Sequence, residues 1–175
     1  MEIIKTETAK RYEIGDRVIY RAEGICEITD IRVEAFAGGE KSEYYILSPQ
    51  NDPNSTVYVP VNNERLTSMI RHILSESEIH ELIAERKSER LAWISDSRAR
   101  NTYFKEILSI CDRRDVIVLL QTVRDKIAQN DAEGKKSGTT ETNAMYRASR
   151  LLRDEFSPAI SLRSDEALFA LIDGE

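Results

Sequence analysis

Glycine and proline fall so unevenly along this 175-residue chain that two kinds of structure must share it. Four of the seven glycines and three of the four prolines precede residue 61, whereas Val61 to Glu133 contains neither. Residues with a free or a fixed φ interrupt regular structure and serve turns, so the first stretch predicts turn-rich β structure and the second predicts helices. A chain of this length holds one large domain or two small ones. The partition places two, residues 1–70 and residues 71–175.

The β half reads as short strands. Arg17-Val18-Ile19-Tyr20 follows the turn Ile14-Gly15-Asp16, and Gly24 starts a longer strand that reaches about Glu34. Within it Cys26 and Ile28 hold one alternation phase and Ile31 and Val33 the other, which calls for a bulge near Thr29-Asp30 and the bend that a small barrel requires. Gly38-Gly39 turns the chain into Tyr44-Tyr45-Ile46-Leu47. After the loop from Pro49 to Asn54, the segment Thr56-Val57-Tyr58-Val59-Pro60-Val61 alternates, with Val57, Val59 and Val61 facing inward and Tyr58 outward.

The helical half opens on a capping box, Ser75 with Glu78, and its first helix runs to about Lys87. From Asp96 to about Ile110 the apolar positions Tyr103, Phe104, Ile107 and Leu108 recur at helical spacing. Asp112 caps a further helix with Val116, Leu119, Leu120, Val123 and Ile127 on one face. Asn130 to Gly138 reads as a loop, followed by helices over about Thr140–Phe156 and Ser164–Ile172.

The formal charge of −6 hides an asymmetry. Residues 86–153 hold 15 basic side chains against 9 acidic ones, between the acidic segments 73–85 and 154–175. Such a local excess fits a nucleic-acid footprint, and a solvated helix face looks the same. The strongly apolar run Val116–Leu120 falls far short of the roughly 20 residues of a membrane helix, and Met1 to Glu7 has no apolar stretch of signal-peptide length. A cytoplasmic protein is expected. Cys26 and Cys111, 85 positions apart and without a Cys-x-x-Cys pair, read as reduced packing residues. His72 and His80 have no metal-ligand spacing, and neither a metal nor another cofactor is expected.

The segments Tyr12-Glu13-Ile14-Gly15-Asp16-Arg17-Val18-Ile19-Tyr20, Glu23-Gly24-Ile25-Cys26-Glu27-Ile28, Tyr44-Tyr45-Ile46-Leu47 and Val57-Tyr58-Val59-Pro60-Val61 together resemble the polymerase-interacting domain shared by CarD-like regulators and the transcription-repair coupling factor. The second half is similar to the helical domain of CarD proteins in Trp93, Phe104 to Leu108, Asp112 to Asp115 and Leu151 to Phe156. The resemblance implies an α+β protein, in which an N-terminal Tudor-like β-barrel docks on the RNA polymerase β subunit. A C-terminal all-α bundle would touch promoter DNA at the upstream edge of the transcription bubble. It implies no enzyme, and the coupling factor's helicase is not implied, since no Gly-x-x-x-x-Gly-Lys-[Ser/Thr] loop occurs.

By the same resemblance, docking pairs an exposed strand edge to edge with the partner, here Thr56, Val57, Tyr58 and Val59. Well-known members carry basic side chains at the positions aligned with Tyr58 and Glu34, so this chain departs in charge at both. Trp93 corresponds to a tryptophan used as a wedge at the bubble edge, displaced here by about two helical turns, and its other reading is a core anchor. Arg90, Arg98, Arg100 and Lys105 are the phosphate candidates, while Thr142 and Asn143 stand where the family has further basic residues. DNA affinity is therefore expected to be weak and largely independent of sequence, with polymerase supplying the effective concentration. The expected state is a monomer, nucleoid-associated through polymerase.

Two other classes compete. A hydrolase needs a nucleophile, a base and an orienting group, and no Gly-x-Ser-x-Gly or comparable elbow accompanies the two histidines. A pure protein adaptor would use the barrel alone, its helices binding no DNA.

Overall fold

The computed structural model describes residues 12–36 and 38–174; Met1 to Glu7, the stretch without a signal-peptide pattern, lies outside them. Strand β1 is Arg17–Tyr20 and β2 is Gly24–Glu34, joined by a single 3-10 turn, Arg21–Glu23. Gly24 takes φ 73°, a left-handed value that costs glycine little and starts β2 at once. Next come β3 (Ser42–Pro49), β4 (Val57–Pro60), a one-turn helix α1 (Glu64–Thr67) and β5 (Ile70–His72).

These strands form one antiparallel sheet in the order β4-β3-β2-β1-β5. The β2–β3 register slips between Ile28 and Asp30, which is the bulge expected from the change of phase. It lets Cys26 and Ile28 before it, and Ile31 after it, turn to the same core as Val18, Tyr45, Leu47 and Val59. Tyr58 faces out, as expected, at 37% exposure. A closed barrel is not what forms. Among the described residues β4 pairs only with β3 and β5 only with β1, so the sheet stays open at two short edges. Closure requires hydrogen bonds between those edges, and the bend at one bulge does not bring them together. The strand β5 went unread in the sequence because three residues are too few to show a period.

Beyond the sheet come α2 (Glu76–Arg86), α3 (Ser97–Ile110), α4 (Arg113–Ala132), α5 (Thr139–Phe156) and α6 (Asp165–Asp173). Side-chain caps start four of them. Ser75 and Glu78 form the full capping box, and Asp96, Asp112 and Ser164 each accept an amide of the first turn. Phe104, Ile107, Leu108, Val116, Leu119, Leu120 and Val123 enter one helical core with Leu152, Phe156 and Leu168. Full burial of each large side chain contributes about 1.5–3 kcal/mol. Tyr103 does not join them: it lies one helical step from Phe104 and is 36% exposed. The fourth helix also runs three residues, Asn130 to Ala132, into the stretch read as a loop. No helix among the described residues is long and apolar enough to cross a membrane.

The sheet meets the helices through charge as well as contact. Arg71 of β5 makes a two-pronged bond to Glu155 of α5, at 3.2 and 2.7 Å, and Arg113 of α4 approaches the same carboxylate at 3.1 Å. All three side chains are nearly buried, at 12%, 8% and 11% exposure. Arg113 also donates to the backbone carbonyl of His72 at 3.3 Å.

Candidate functional site

Strand β4 has one hydrogen-bonding side occupied, from Leu47↔Val57 to Tyr44↔Pro60, and its other side unpaired among the described residues. Val59 is fully buried, Val57 packs against the sheet core, and Thr56 lies exposed just before the strand. The outward face of this edge is aromatic. Tyr58 lies 5.0 Å from Phe36 and 6.3 Å from Tyr44, and Phe36 lies 5.2 Å from Tyr44, all edge to face. Glu34 stands opposite Ser42, in the same alternation phase as Tyr44, and its carboxylate is 2.8 Å from Nε of Arg32. Thus an unpaired strand edge, a half-exposed trio of rings and a paired carboxylate adjoin one another. Sequence reading found Tyr58 and Glu34 but missed Phe36 and Tyr44, which only the register brings beside them.

The five residues expected to contact DNA separate into two groups. Arg98 and Lys105 lie seven positions apart on α3, hence on one helix face, both exposed and without an ion pair among the described residues. Lys105 lines a groove between α3 and α5 with Asn101, Asn143, Tyr146 and Arg147. Arg147, also exposed and without an ion pair, escaped the sequence reading because it lies 42 positions beyond Lys105.

Arg100 corrects the expectation. It is 9% exposed, bonded to buried Glu141 at 2.8 Å through Nε and to the carbonyls of Ile94 and Ser95 at 2.6 and 3.1 Å through Nη1. Those bonds use the guanidinium to tie the loop before α3 to the start of α5, which leaves it unavailable to a phosphate. Arg90 is exposed but engaged, 2.6 Å from Asp125 and bonded to the carbonyls of Lys87 and Glu89. Trp93 is half-buried against the helical core, 6.4 Å from Phe104, with Arg100 stacked 4.6 Å from its ring centroid and Lys126 Nζ at 5.3 Å. Its remaining edge lines a shallow groove with Ser97, Lys126 and Thr140.

Both cysteines are buried and free. Burial, and then Glu23, raise the Cys26 thiol to about 11, and burial also raises Cys111, so neither is a ready nucleophile.

The family model described as CarD-like/TRCF RID domain matches residues 12–74. The sheet thus lies in a segment similar to the RID family. The matched span runs from before β1 through β5 and ends before α2, so the one-sided strand β4, the aromatic trio and α1 lie within it and α2 to α6 outside it. The RID family is a protein-interaction family that binds the RNA polymerase β subunit, and the match is consistent with a CarD-like protein. Comparison with curated proteins gives no match.

Proposed function

We propose that this chain is a CarD-like transcription regulator that docks on the RNA polymerase β subunit through β4 and modulates open-complex stability by touching promoter DNA. The observation that carries the reading is the coincidence, inside the segment similar to the RID family, of an unpaired strand edge with exposed aromatic rings. An edge strand offers backbone donors and acceptors to a partner strand, and rings beside it supply the apolar anchor that interface energetics favour. In this reading Thr56, Val57, Tyr58 and Val59 form the docking strand and Glu34 flanks it. Aromatic rings at Tyr58 replace the charge that other members carry there, so affinity here depends less on salt.

The helical part, α2 to α6, is the DNA-contacting domain, a bundle beside the N-terminal sheet. Arg98 and Lys105 supply the backbone contacts, Arg90 a weaker one, and the free edge of Trp93 meets the distorted duplex at the upstream fork of the bubble. Two or so phosphate contacts give little affinity alone, so DNA is engaged only when polymerase holds the protein there.

Amide hydrogen exchange tests the docking. Adding the β-subunit lobe is expected to protect the amides of residues 56–59 more than those of β5, the opposite edge. Equal or absent protection contradicts it. A second reading, an adaptor that binds polymerase without DNA, gains from Arg100 and Arg90 being engaged internally. Trp93 fluorescence that responds to promoter DNA only in the presence of polymerase favours the first reading over this one.

A further inference from the structure

Between the sheet and the helices lies a cleft of about 330 Å³. Its floor is apolar, with Ile19 of β1 beneath Leu108, Cys111 and Val116 of the α3–α4 corner. Its rim carries Arg21, Arg147 and Arg150, all exposed. Neither Arg21 nor Arg147 has an ion pair among the described residues, and the carboxylate nearest Arg150, that of Asp154, is 3.9 Å away. Arg113 also lines the cleft, and its Nη1 is buried without a hydrogen-bond partner. The carboxylate that Arg113 does meet, Glu155, is shared with Arg71. Four guanidinium groups thus line the cleft against two carboxylates, one of which serves an arginine outside it.

A buried donor without an acceptor, beside cations without anions, is a costly arrangement unless an anion completes it. Burial holds the Arg113 guanidinium below its usual affinity for the proton, against the pull of Glu155. The two non-glycine residues at positive φ among the described residues, Arg21 at 48° and Cys111 at 57°, both lie in this lining, and backbone strain of that kind gathers at binding sites.

We propose that this cleft is a phosphate-binding site. Arginine forks match phosphate oxygens two at a time, which lysine or a single dipole does not. The volume suits a compact ligand, at the lower end of small-molecule sites, and the apolar floor accepts the ring or sugar that a phosphate brings with it. That phosphate comes either on a free nucleoside polyphosphate or on a nucleic-acid backbone entering from the adjoining α3–α5 groove, which shares Leu108, Tyr146 and Arg147 with the cleft. In either case the ligand bridges sheet and helices.

Calorimetric titration of the full chain with pyrophosphate, ATP and a short DNA duplex, at near-physiological salt, tests this. Pyrophosphate is expected to bind one to one, and Arg147→Ala with Arg150→Ala to weaken it about tenfold or more, while Arg163→Ala, outside the cleft, leaves it unchanged. All three arginines are exposed, so an unaltered melting temperature verifies the fold. ATP binding more tightly than pyrophosphate identifies a nucleotide as the source, and the duplex doing so identifies a backbone phosphate. Failure of all three probes to bind, binding that survives the double variant, or equal weakening by Arg163→Ala overturns the proposal. Polymerase docking plays no part in this measurement, so either idea can fail alone.

Discussion

Glu155 holds two arginines that come from opposite ends of the fold, Arg71 from the last strand and Arg113 from the start of α4. Removing a buried carboxylate leaves both charges uncompensated, and breaking such a pair from one side costs about 3–5 kcal/mol. Glu155→Ala is expected to lower the stability read from urea unfolding by that amount, and an effect below about 1 kcal/mol contradicts the placement. Arg100 and Arg98 make a similar contrast on one helix. Two positions on a helix are about 200° apart, so one faces Glu141 and the core while the other faces water. Arg100→Ala is expected to destabilise by about 3 kcal/mol, whereas Arg98→Ala stays within about 0.5 kcal/mol and alters only polymerase-dependent DNA contact. Nothing in the local sequence distinguishes these arginines, because the deciding partner lies 41 residues away.

At the scale of elements, the ends of the helices carry their own signals. Ser75→Ala removes the acceptor for the Glu78 amide and is expected to cost about 1 kcal/mol in thermal or urea unfolding. The Glu78 carboxyl is held down to about 2, first by the Ser75 amide, then by its hydroxyl and by His72. A carboxyl lowered on folding stabilises the protein fully above its ordinary value of 4.5 and loses that effect as pH falls toward 2. Glu78→Gln is therefore expected to flatten the decline of stability across that window, as acid titration of the unfolding midpoint would reveal. Such caps were legible because they depend on residues three apart, and so was the bulge at Thr29, because a change of phase is written within one strand. Strand β5 and the open edge were not legible. Three residues show no alternation, and whether two edge strands meet depends on the twist of the whole sheet.

At the scale of the whole molecule, the described residues form two cores, one within the sheet and one among the helices, linked by the Glu155 cluster and by the cleft beside it. This arrangement separates the proposed tasks: the segment similar to the RID family presents β4 at the sheet edge, and the helices carry Arg98, Lys105 and Arg147, exposed and without an ion pair among the described residues. Strand β4, the proposed docking strand, was legible as a strand from its alternation. The surface around it was not, because Phe36, Tyr44 and Tyr58 meet only through strand register. Truncating Phe36 and Tyr44 to alanine is expected to weaken polymerase capture about tenfold while the strand edge remains, a loss that surface-plasmon measurement of the dissociation rate would show. The most direct measurement is capture of the β-subunit lobe, from the host's own RNA polymerase, by the wild-type chain and by a folded variant with Val57→Pro and Tyr58→Glu. The account predicts capture by the wild type and its loss in the variant; a folded wild type that captures no lobe, or a variant that captures it equally well, contradicts it.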